Sequence, residues 1–145
     1  MSDHKKILSQ KELFFLLSKL KNKKIIHCHG VFDLLHPGHI DYFKEAKQLG
    51  DILIVSITAD NYVNKGPYKP VFKQNLRALS LANLELIDYV IINNQSTAVK
   101  LINLIKPTFY IKGPDYKNKT KDKNLLKEKK AVENNSGKFY TTAGK

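Results

Sequence analysis

The sequence predicts an α/β fold, an open parallel sheet of about five strands with helices on both faces. Three observations predict it. Short apolar runs alternate with segments whose apolar residues recur at helical spacing. The connections between them are short, and a helix crossing between two parallel strands completes each unit. The run 52–58 is apolar at almost every position rather than at every second one, the pattern of a strand buried on both faces.

Taken in order, residues 9–20 set Leu13, Leu16, Leu17 and Leu20 at helical spacing behind Ser9, an N-cap residue. Residues 25–32 form the first strand, and 38–49 a helix closed by Gly50. After the strand 52–58 comes a polar loop, 60–71, holding Gly66, Pro67 and Pro70. A helix is predicted at 73–86, a strand at 89–93, and a helix at 96–105 that Pro107 halts. Residues 108–112 give another strand, 122–134 a charged helix, and 138–142 a last short strand. With right-handed crossovers this is a Rossmann-like sheet. Ligands of such sheets sit at the carboxyl ends of the strands, near the point where strand order reverses. Those ends fall at Phe32, Thr58, Asn93 and Lys112. No repeat or linker interrupts the pattern, so 1–145 reads as a single domain, long enough to bury roughly two-thirds of its unfolded surface.

Composition narrows the function classes. No run of eighteen apolar residues offers a membrane span, and the first residues are polar and charged, unlike a signal peptide. The single cysteine, Cys28, excludes an internal disulfide and fits a reducing, cytoplasmic setting. The net charge of +12 invites a nucleic-acid reading, but 25 basic residues, all lysine except Arg77, are scattered rather than gathered into a stripe. They read as solvated surface that also draws in phosphate-bearing ligands, so no nucleic-acid partner is expected. Arg77 carries more information, because its planar fork can hold a phosphate in a fixed orientation.

The most informative stretch is Gly30-Val31-Phe32-Asp33-Leu34-Leu35-His36-Pro37-Gly38-His39. An apolar strand runs into a turn with two histidines three residues apart, and an amphipathic helix follows. Histidines at that spacing share a face of a helix's first turn. There the free backbone N–H groups and the positive end of the helix dipole attract anions. Pro37 suits a first helical position, and Gly38 permits a phosphate to approach the backbone. His27, Cys28 and His29 precede the turn but alternate between faces of a strand, so the three do not converge on a metal, and no metal ligand set is expected. Cys28 reads as core, His27 as a strand histidine with a local partner, and His29 either way.

These residues resemble the HxGH signature of the nucleotidyltransferase superfamily that includes the cytidylyltransferases. The likeness runs over residues 25–140 and is carried by His29-Gly30-Val31-Phe32-Asp33, His36-Pro37-Gly38-His39, the Lys65 loop, Arg77, and Lys112-Gly113-Pro114-Asp115-Tyr116. Within the superfamily the chain is most similar to the adenylyltransferase domains of ADP-heptose synthases and to glycerol-3-phosphate cytidylyltransferases. The resemblance implies transfer of a nucleotidyl group from ATP or CTP to a sugar phosphate or polyol phosphate, with release of pyrophosphate, for an activated surface-glycan precursor. It implies catalytic roles for His36, His39, Lys65 and Arg77. It implies a nucleotide site of Gly30, Val31, Phe32, Asp33, Gly38, Lys112, Gly113 and Asp115, with Mg²⁺ accompanying the triphosphate. It also implies a homodimer and a fused or partner sugar kinase. Protein catalysis of such a transfer is positioning plus electrostatic stabilisation, so no nucleophilic side chain is required.

One part of the family pattern is missing. A serine- and threonine-rich turn opening a helix is expected after the last strand, where this sequence has Thr141-Thr142-Ala143-Gly144-Lys145. A shortened domain, a piece of a longer chain, and a chain that ends here all fit. Two other function classes follow: a nucleotide-binding module without turnover, and a basic nucleic-acid binder with steep salt dependence.

Overall fold

The computed structural model describes residues 4–64, 66–117 and 121–144. Its elements run β1 (Ile7–Leu8), α1 (Gln10–Ser18), β2 (Ile25–Gly30), α2 (Pro37–Lys47), β3 (Ile52–Thr58), α3 (Gln74–Ala82), β4 (Tyr89–Asn93), α4 (Val99–Ile105), β5 (Phe109–Lys112), α5 (Lys123–Asn134) and β6 (Lys138–Thr141). Single 3₁₀ turns sit at Asp60–Tyr62 and Pro114–Tyr116.

The strands form one six-stranded sheet in the order β1-β4-β3-β2-β5-β6, and each neighbouring pair is parallel. The expected five strands are all present. The sixth, β1, escaped the sequence reading because two residues carry no periodicity; it is defined by its pairing with Val90 and Ile91. Strand order reverses between β2 and β5, which is where a ligand crevice opens in sheets of this kind.

Helices cover both faces. Tyr42, Phe43 and Ala46 of α2 and Ala78, Leu81 and Ala82 of α3 pack against Ile26, Cys28, Leu53 and Val55 on one face. Leu13 of α1, Leu101 and Ile105 of α4, and Ala131 and Val132 of α5 cover the other. The alternation of β2 decides this division. Ile26 and Cys28 enter the first core, while Ile25, His27 and His29 turn to the second face.

Several boundaries are shorter than the pattern predicts, for local reasons. The helix expected at 73–86 stops at Asn83, whose side-chain amide donates to the Leu79 carbonyl. The helix expected at 96–105 begins at Val99, because the Asn93 amide donates to the Thr97 carbonyl and the buried Glu128 carboxylate caps the Ala98 N–H. β2 ends at Gly30 rather than at residue 32, since Phe32 adopts a left-handed φ of 49° and breaks the ladder.

Candidate active site

β2 ends at Gly30, where a Cβ would come within 2.9 Å of the Phe32 ring. Glycine is needed there because Phe32 folds back. That ring is buried against Tyr42 and Phe43 and meets His39 edge-on at 5.6 Å. Phe32 thus supports His39 from below.

α2 opens on His36. Its Nδ1 accepts the Gly38 N–H at 3.1 Å, and the His36 N–H donates to His39 Nδ1 at 3.2 Å. This is a capping box built from two imidazoles, with ring centroids 3.9 Å apart. An Nδ1 that accepts an N–H is unprotonated, so each neutral ring carries its proton on Nε2. Two Nε2–H donors are thereby fixed beside a helix N-terminus, His36 in the open and His39 half-buried. Gly38 has a second reason beside the one its sequence context suggests. A Cβ there would lie 2.8 Å from His36 Cε1, so the glycine makes room for the capping ring itself.

Asp33 clasps the following loop. Its two carboxylate oxygens accept the Val71 and Phe72 N–H groups at 2.6 and 2.8 Å. Its slight burial pushes the carboxyl up, but those N–H bonds, with the charges of Lys69 and Arg77, outweigh it and hold Asp33 below the ordinary carboxylate range.

The structure sets Arg77 under the site rather than on its open side. Its guanidinium is buried and donates to the carbonyls of Phe72, Val31 and Thr58 and to the Asp60 carboxylate, at 2.7–2.9 Å. It ties together the ends of β2 and β3 and the start of α3. Val31 enters the site through that carbonyl.

Across the switch point, the Lys112 ammonium is buried and donates to the His29 carbonyl at 2.8 Å, joining the ends of β5 and β2. A Cβ on Gly113 would meet nothing within 4 Å, and Asp115 is exposed on the turn after it. Between this segment and α2 opens a cleft of about 350 Å³, lined by Gly38, Tyr42, Glu45, Pro114 and Thr142 among others. Lys65 lies outside the described residues.

Sequence reasoning missed Glu45, Asp60 and Ser56. The Glu45 carboxylate accepts the Ala143 N–H at 3.1–3.2 Å and fastens the segment after β6 onto α2. Ser56 had a signal, being the one polar interruption inside the apolar run of β3. Its hydroxyl lies 2.7 Å from both His27 Nε2 and His29 Nδ1. Among the described residues no three His, Cys, Asp or Glu side chains gather as a metal cluster.

An open parallel sheet with paired imidazole donors at its switch point defines a nucleotide-handling α/β protein, and the comparisons agree. Residues 27–141 match the cytidylyltransferase-like family. The bifunctional protein HldE of Helicobacter hepaticus is 47% identical over 79% of this chain and 24% of its own length. That of Helicobacter pylori strain J99 is 39% identical over 97% of this chain and 30% of its own. This chain therefore spans about a quarter to a third of the length of these curated relatives. A solved lipopolysaccharide core biosynthesis protein from Thermoplasma volcanium superposes with a TM-score of 0.71 at 28% identity, covering 85% of this chain and 98% of that one. A pantoate-beta-alanine ligase from Francisella tularensis shares the fold, with a TM-score of 0.66 at 19% identity, covering 94% of this chain and 66% of that one. The chain belongs to the cytidylyltransferase-like family of nucleotidyltransferases.

Proposed function

We propose that this nucleotidyltransferase joins ATP or CTP to a sugar phosphate or polyol phosphate, releasing pyrophosphate and leaving a nucleotide-linked precursor. The observation that carries the reading is the reciprocal cap of His36 and His39, which fixes two Nε2–H donors beside a helix N-terminus. In-line attack on the α-phosphorus builds negative charge on the phosphoryl oxygens. Donors already held in place stabilise that charge without reorganising.

His36 and His39 bind the α- and β-phosphates, and Lys65 closes over them from its loop. The turn of Gly30, Val31, Phe32, Asp33 and Gly38 and the segment of Lys112, Gly113 and Asp115 frame the nucleotide. Asp33, Lys112 and Arg77 act chiefly by positioning, since their charged atoms are bonded to the site's backbone. Mg²⁺ comes in as part of the triphosphate substrate: both Asp33 oxygens accept N–H groups, and among the described residues no three His, Cys, Asp or Glu side chains gather to hold an ion. The likeness to bifunctional HldE supports a heptose-type acceptor, an ATP donor and a link to a sugar kinase, fused or separate. A homodimer belongs to the same proposal.

The test is Mg²⁺-dependent pyrophosphate release from ATP and from CTP, each paired with heptose 1-phosphate and with glycerol 3-phosphate, with His36→Ala as control. Release with one pair, lost in the variant, is the expected result. Triphosphate binding without release under every pairing would mark a binding module instead.

A further inference from the structure

Behind the capped pair lies a second pair of histidines. His27 and His29 occupy alternate positions of β2 and so turn to the same face, opposite Ile54 and Ser56 of β3. Both rings meet one hydroxyl: Ser56 Oγ is 2.7 Å from His27 Nε2 and 2.7 Å from His29 Nδ1. Beyond it, His29 Nε2 stands 3.5 Å from Thr58 Oγ1, at the carboxyl end of β3. At the far end His27 Nδ1 is buried and has no hydrogen-bond partner among the described residues.

A serine hydroxyl has one proton. It can donate to one imidazole while accepting from the other, so the two tautomers are coupled. If Ser56 donated to His27 Nε2, the His27 proton would sit on Nδ1 as a buried, unsatisfied N–H. In the reverse arrangement His27 donates from Nε2, Ser56 donates to His29 Nδ1, and the orphan is a bare lone pair. Buried N–H groups without partners are the rarer and costlier of the two defects. The orphan atom at one end of the chain therefore sets the proton at the other: His29 is a neutral ring with its proton on Nε2.

Three features aim that N–H at a ligand. It sits at the carboxyl edge of the sheet, where such folds bind their substrates. The His29 carbonyl is pinned by Lys112, so backbone and ring are both fixed. And Nε2 is directed at Thr58 on β3, away from β5 and the turn carrying Gly113 and Asp115, which frames the nucleotide. We infer that His29 is a further substrate-binding residue: with Thr58 it binds a hydroxyl oxygen of the sugar or polyol part of the acceptor, donating from Nε2, while Ser56 and His27 are positioning residues that fix its proton. The inference rests on the transfer reaction proposed above.

The ring has a hydroxyl, that of Thr58, for its neighbour, so the two suit an alcohol oxygen, and the ring itself stays uncharged. Burial pushes His29 well below the ordinary histidine value, and the positive charge of Lys112 and the neighbouring His27 push the same way against a weaker opposing effect of Ser56. The other groups facing the chain do not reverse this. Tyr110, edge-on to His27 at 5.1 Å, donates to the buried Glu128 carboxylate, and burial holds its own hydroxyl protonated.

The test is nitrogen NMR of the histidine rings in the full chain, with and without ATP or CTP, adding heptose 1-phosphate or glycerol 3-phosphate. His29 is expected to show the neutral Nε2–H pattern unchanged from pH 5.5 to 8, and its Nε2 signal to move when an acceptor is added. In turnover, His29→Ala should raise the acceptor KM ~10–100-fold with the triphosphate KM little changed. His29→Gln, which restores an N–H at the same reach, should recover most of that loss. A proton on Nδ1, or titration within that range, overturns the inference with or without ligand. So does a His29 signal that stays still while those of His36 and His39 respond, a result that leaves the transfer reaction standing. Silence from all four rings with every ligand fails the reaction itself, and this inference with it.

Discussion

The molecule holds two histidine pairs within thirteen residues of chain, and they live in opposite conditions. His36 and His39 open a helix at the surface and take their Nδ1 hydrogen bonds from backbone N–H groups. His27 and His29 lie inside the sheet and share a serine hydroxyl. In the first pair a backbone N–H, which can only donate, settles where each proton goes; in the second the shared hydroxyl couples the two rings and the orphan His27 Nδ1 settles it. What differs is access. The first pair stands open to solvent, and in the proposed reaction its fixed protons meet the phosphates. The second pair is buried, with only His29 Nε2 reaching the sheet's edge beside Thr58, and its neutrality is maintained at a cost in acid. Histidine's use in this fold is thus decided by which atom meets the first nitrogen and how much solvent meets the second.

The comparison is broken most severely at His39. His39→Ala should lower turnover ~10²–10³-fold while circular dichroism stays that of the parent; near-normal pyrophosphate release would remove the surface pair from the chemistry. Next comes Arg77, whose four donated hydrogen bonds brace the floor shared by both pairs. Arg77→Lys keeps the charge but not the fork, and urea unfolding should register a loss of about 2–3 kcal/mol. If stability is untouched and only nucleotide affinity falls, Arg77 reaches the ligand directly.

The buried pair is sharpened by acid. Burial, with Lys112 adding to it, pushes His27 down to about 3, so below the ordinary histidine value of about 6.5 the unfolded chain takes up protons that the folded one refuses. The stability this group contributes is complete above that value and is lost as pH falls toward about 3, at ~1.4 kcal/mol per pH unit. Unfolding free energies measured from pH 6.5 to 5 should fall by about 2 kcal/mol on account of His27, and His27→Leu should flatten the slope. The smallest effect belongs to the clasp. Asp33→Asn loosens the loop at Val71 and Phe72, and the triphosphate KM should rise ~3–10-fold with stability near neutral pH almost unchanged.

Much of this was legible in the sequence. The apolar run of β3, the helical spacing in α1 and α2, and the turn from Gly30 to His39 identify the sheet, its layers and the strand ends that carry the site, because strand burial and helix amphipathicity are written in local periodicity. Partnerships across the fold were not. Nothing in the run from residue 73 onward reveals that Arg77 will be spent on carbonyls from β2 and β3, nor that Asp33 will hold a loop nearly forty residues away. Gly38 illustrates the same limit: its place next to two histidines announces a close approach, but only the folded turn tells that the approaching group is the His36 ring.

The reciprocal cap at the start of α2 has a thermal consequence. The same two rings cap the helix's first N–H groups and, in the proposed reaction, offer the phosphate donors, so fraying of one turn releases both at once. On warming, catalysis should fade ahead of the sheet's own melting, as the first turn opens and closes against an intact core. A bound triphosphate reverses the order: by holding the Nε2 protons it also fastens the helix end, and slowed hydrogen exchange at the Gly38 and His39 amides becomes a direct reading of how full the site is.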